Sequence, residues 1–94
     1  MAKRMFRVTL VCGGLSASIG EQAAKDIVKE FAEHRTWQRN VQCEWDGRRL
    51  VFRSDNDFDS DGKATLDEFS DAIFAVVAEP EAFRITTESV QELP

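Results

Sequence analysis

The chain is poor in the residues that staple, hinge or catalyse. Its 94 residues include two cysteines, Cys12 and Cys43, too few for a disulfide framework. Both fall on the inward faces of expected strands, so buried free thiols are expected rather than ligands or a nucleophile. There is one histidine, His34, and the sequence places no second catalytic group beside it. In the last turn of an expected helix its imidazolium would suit the helix dipole. Two prolines, with no internal repeat and no low-complexity tract, leave no linker and point to a single domain over 1–94. Basic residues are the minority, 12 against 17 acidic, and the net charge of -5 argues against nucleic acid or an anionic membrane as partner.

No apolar run is long enough to span a bilayer. Residues 1–12 have the outline of a signal peptide, but Arg7 interrupts an apolar run that is already too short. Val11 is not the small residue expected before a lipidated Cys12. The expectation is a cytoplasmic protein with reduced thiols. Hydrophobic residues at 43% and charged residues at 31% are ordinary globular values, enough for one small core.

What is present is periodicity. Residues 5–12 alternate, with Phe6, Val8, Leu10 and Cys12 on one face and Arg7, Thr9 and Val11 on the other, which reads as a half-buried strand. Gly13-Gly14-Leu15-Ser16-Ala17 is a turn without the Gly-Lys-[Ser/Thr] ending of a phosphate cradle. Ser18-Ile19-Gly20-Glu21 reads as a capping box opening a helix to about His34, with Ala24, Ile27, Val28 and Phe31 as its buried stripe. Asn40 to Trp45 alternates again, Asp46-Gly47 signals a hairpin, and Arg48 to Ser54 returns with Leu50 and Phe52 inward. A second helix is expected from about Leu66 to Ala78, ended by Pro80. Phe83 and Ile85 mark a last strand, and the tail from Glu88 is expected to be loosely held, leaving an ordered core of about 5–87.

The order strand, helix, strand, strand, helix, strand predicts an α+β protein. Its standard solution is the ferredoxin-like βαββαβ two-layer sandwich, an antiparallel sheet with both helices on one face. Right-handed crossovers put the first and third strands in the middle. The far face of the sheet then carries Arg7, Thr9, Val11, Arg49, Val51, Arg53, Arg84 and Thr86. RNA-recognition domains of this topology display stacking aromatics there; Arg, Thr and Val instead resemble a face through which small domains dimerise or meet a protein partner. Arginines on it can pair with a partner's carboxylates.

One stretch carries a motif. Asp57-Phe58-Asp59-Ser60-Asp61-Gly62-Lys63-Ala64-Thr65-Leu66-Asp67-Glu68 matches D-x-[DN]-x-[DN]-G-x5-E at every fixed place. It resembles the EF-hand calcium loop over these residues alone. The resemblance implies a divalent cation, calcium ahead of magnesium, held by Asp57, Asp59, Asp61, the Lys63 carbonyl, Thr65 through water and Glu68. The family's sister loop and entering helix are missing, and Ala64 stands where it favours a larger aliphatic residue. The same acids also suit plain punctuation, because Thr65-Leu66-Asp67-Glu68 is itself a capping box. No catalytic constellation is discernible, so a non-enzymatic binding module is expected: a cation-binding one, or one that assembles through its sheet face.

Overall fold

A computed structural model describes residues 4–78 and 82–94. Six elements follow one another: β1 (Met5–Gly13), α1 (Ala17–His34), β2 (Arg39–Trp45), β3 (Leu50–Asn56), α2 (Lys63–Val76) and β4 (Arg84–Leu93). The four strands form one antiparallel sheet in the order β2-β3-β1-β4. That is the ferredoxin-like arrangement, with β1 and β3 central. Among the described residues no helix is long and apolar enough to cross a membrane.

The alternation does what the sheet requires. Val8, Leu10 and Cys12 of β1 and Leu50 and Phe52 of β3 are fully buried beneath the helices, together with Ile27 and Phe31 of α1 and Phe69 and Ile73 of α2. Phe52 is the centre of this core. Its ring lies 4.8 Å from that of Phe31 and 4.6 Å from that of Phe69, the latter stacked. Cys12 and Cys43 are free. Burial pushes their thiols up, to about 11 and about 12, which keeps them protonated and unreactive.

Both helices start earlier than the capping boxes suggest. Ser16, not Ser18, is the N-cap of α1, and its carbonyl accepts from the Gly20 amide at 2.8 Å. Gly20 serves a different purpose from capping. A Cβ there would stand 2.1–2.5 Å from the Trp45 ring, so its missing side chain is what lets the indole lie against α1. The start of α2 at Lys63 places Thr65 inside the helix rather than at its cap. Pro80, expected to end α2, lies outside the described residues; the helix ends at Val76.

The strands differ at their ends too. Asp46 closes the hairpin, its carboxylate accepting from the amides of Arg48 at 2.9 Å and Arg49 at 2.7 Å. The tail from Glu88 is not loose: β4 runs on to Leu93, antiparallel to β1 along its whole length, with a bulge opposite Thr9 and Leu10. β3 extends two residues past Ser54, which brings Asp55 and Asn56 into the sheet.

Candidate functional site

The acidic loop connects β3 to α2, and Gly62, at φ 80°, makes the turn into the helix. Its carboxylates are turned toward the helix start. Asp59 is buried, and its two oxygens accept from the amides of Thr65 at 2.7 Å and Ala64 at 3.4 Å. Asp61 accepts from the Lys63 amide at 3.0 Å, and that hydrogen bond holds its carboxyl below the usual range. Three of the donors that every helix leaves open at its N-terminus are thereby satisfied. Asp57 is exposed.

Glu68 points away from the loop. One oxygen accepts from Trp37 Nε1 at 2.5 Å and the other from Gln38 Nε2 at 2.9 Å. Gln38 belongs to a buried polar network that the sequence reading missed. Its Oε1 accepts from Ser54 Oγ at 2.8 Å and Asn56 Nδ2 at 3.1 Å. Thr65 Oγ1 accepts from Asn56 Nδ2 at 3.1 Å and from Gln38 Nε2 at 3.3 Å. Asn56 Oδ1 accepts from the amides of Phe58 and Asp59, fixing the loop's first turn. Among the described residues no buried side-chain polar atom lacks a partner. The signal available in the sequence was the period of two, since Leu50 and Phe52 continue inward to Ser54 and Asn56.

As folded, these residues do not form a cation cage. Among the described residues, no group of three or more His, Cys, Asp or Glu side chains is placed to hold a metal ion. The Asp59 carboxylate is engaged with the first-turn amides and that of Glu68 with Trp37 and Gln38. The roles can be separated by substitution. Asp59→Ala should cost about 1–2 kcal/mol without any metal, the usual loss of a cap. Asp59→Asn, which keeps one acceptor oxygen for the Thr65 amide but turns an NH2 group toward the other amide, should recover only part of that cost. Calcium-free thermal melts of the two variants check this.

The other candidate is the sheet face away from the helices. Cross-strand register sets Arg7 opposite Asp55, Thr9 opposite Arg53 and Val11 opposite Val51. Arg7 spends its fork within the molecule: Nε and Nη2 reach the two oxygens of Asp55 at 2.9 and 3.1 Å. Asn40, in the left-handed region at φ 52° in an irregular stretch of β2, donates to the same carboxylate at 2.9 Å. Burial pushes the Asp55 carboxyl up, but hydrogen bonds from Arg7 and Asn40 and the charges of Arg7 and Arg53 outweigh it and hold it below its ordinary value. Asp55 thus belongs to the sheet, not to the acidic loop.

Around that pair, Thr9 and Val11 are only 6% and 7% exposed although no helix covers them. Val51 is half-buried, and Arg53, Glu44, Arg84 and Thr86 are exposed. Arg49 lies 3.5 Å from Asp46, whereas Arg53 and Arg84 have no carboxylate within ion-pair distance among the described residues. Of the arginines expected on this face, Arg53 and Arg84 therefore remain available to another molecule, Arg49 shares its charge with Asp46 in an exposed pair, and Arg7 is committed to Asp55. Comparison with family models, curated proteins and solved structures finds no significant match to the chain.

Proposed function

We propose that this chain is a non-enzymatic interaction module that assembles with a second copy of itself through the open face of the sheet. The observation that carries the reading is that face's make-up. A dry central strip of Thr9, Val11 and Val51 is flanked by exposed Arg53 and Glu44, charges of both signs on one surface. An isologous two-fold contact needs a self-complementary patch, apolar at its centre and able to set arginine against glutamate across the axis. Sedimentation velocity tests it. The wild type should form a dimer as concentration rises, and Val51→Asp and Arg53→Glu should each shift it toward monomer. A monomer at every concentration would count against the proposal.

The spacing of Asp57, Asp59, Asp61, Gly62 and Glu68 favours a second reading, a calcium site in the 57–68 loop. Capture of Glu68 would free the Trp37 indole, so calcium should change tryptophan fluorescence and raise the melting temperature together. Asp59→Asn and Glu68→Gln should abolish both changes. Unchanged fluorescence and melting at millimolar calcium would dispose of this reading.

A further inference from the structure

Gly13 ends β1, and neither backbone nor packing calls for glycine there. The described glycines in the left-handed region are Gly14, Gly47 and Gly62, and a Cβ built on Gly13 would meet nothing within 4 Å. A glycine in such a place weakens the strand and often marks the close approach of another group. The open space beside it is a cleft of about 280 Å³, lined by Val11, Gly13, Arg49, Arg84, Thr86 and Glu88. Arg84 pairs directly with Gly13 across the ladder. Arg49 precedes Leu50, the partner of Cys12, so arginines flank the glycine from both neighbouring strands. A second opening of about 550 Å³ shares Gly13 and Arg49 and leads to Gly14, Arg48 and Asp46 at the hairpin corner, where an incoming carboxylate must draw Arg49 from the Asp46 carboxylate 3.5 Å away.

We infer that this corner of the sheet binds a carboxylate group, held between the guanidinium of Arg49 and that of Arg84 over Gly13. Guanidinium forks match the two oxygens of a planar carboxylate. Thr86 offers a hydroxyl donor, and Val11 gives the cleft an apolar wall. Glu88 on the rim sets the charge: beside it one carboxylate group, with a single charge at the arginines, is tolerated better than a phosphate, which concentrates two. The volume suits a side chain or a small acid rather than a large ligand. The cleft shares Val11 with the proposed self-association face, but a free acid needs no second copy to reach it in the monomer.

Amide NMR titration with succinate tests it. Saturable shifts are expected at Gly13, Gly14, Arg84 and Thr86. Arg84→Gln and Gly13→Val should each weaken binding about tenfold or more, while Gly13→Val keeps or raises the melting temperature because it fills open space on a strand. Should Gly13→Val fail to fold, Arg84→Gln and Arg49→Gln decide alone. Shifts that never saturate, or arginine variants that titrate like the wild type, overturn the site. Inorganic phosphate binding as tightly as succinate overturns the carboxylate assignment. An acetylated tetraglutamate peptide binding more tightly than succinate assigns the carboxylate to an acidic chain, and the reverse order to a free acid; either result upholds the cleft. Because Val11 serves both surfaces, the titration is run on monomer, at low concentration or on Val51→Asp, so its failure leaves self-association standing, and a wild type that stays monomeric and binds succinate sinks only the dimer.

Discussion

Phe52→Ala should be among the most damaging single truncations in the chain, costing about 3–5 kcal/mol. Phe52 is fully buried and is the ring common to two aromatic contacts, with Phe31 of α1 on one side and Phe69 of α2 on the other. It thus joins both helices to the middle of the sheet. Its neighbours project from rigid elements and cannot collapse into the void, which puts the cost at the upper end of the range. A domain of this size has a total stability of roughly 5–14 kcal/mol. The melting temperature should fall by about 15–30 °C, read by calorimetry on the purified variant. Phe52→Leu, which leaves a smaller gap, should lose markedly less. Equal losses from the two would mean that ring packing is not what the site contributes.

Asn56→Leu should come close to that cost by a different route, about 3 kcal/mol with the branched outline of the side chain kept. Asn56 is fully buried and makes four hydrogen bonds, two as donor and two as acceptor. Gln38 Oε1 would keep Ser54, and Thr65 Oγ1 would keep Gln38. The amides of Phe58 and Asp59 would keep nothing, at about 1–3 kcal/mol for each stranded group. Chemical denaturation measures the loss, and hydrogen exchange locates it: Phe58 and Asp59 should exchange faster while the core of β1 keeps its protection relative to global unfolding. A variant as stable as the wild type would show that the network is ornamental.

These two residues also mark how far the sequence could be read. Apolar positions announce themselves through period, so four strands, two helices and the sheet order followed from spacing alone, with Phe52 placed inward. Polar residues on an inward face carry no such mark. Asn56 looks like loop chemistry until the strand is known to run past Ser54, and Gln38 gains meaning only when Asn56 and Thr65 are brought to it from distant points in the chain. Asp55 is a further case. It stands beside Asp57 and Asp59 in sequence, but a strand sends alternate side chains to opposite faces, and its partner Arg7 lies on another strand. The acidic motif was legible as letters, whereas the direction of its carboxylates was not: Asp59 turns to open amides and Glu68 to Trp37, contacts that spacing does not encode. Alternation puts Arg7 on the sheet face but does not reveal that Asp55 already matches its charge.

The long pairing of β4 with β1 has a bearing on solubility. While the stretch from Glu88 to Leu93 holds its register, β1 is an interior strand with both rows of amides matched. Stripping that stretch away would leave the Met5–Thr9 half of β1 with one bare margin, a template on which another chain could zip. This half of β4 thus acts as a selvedge that keeps the weave from catching on its neighbours.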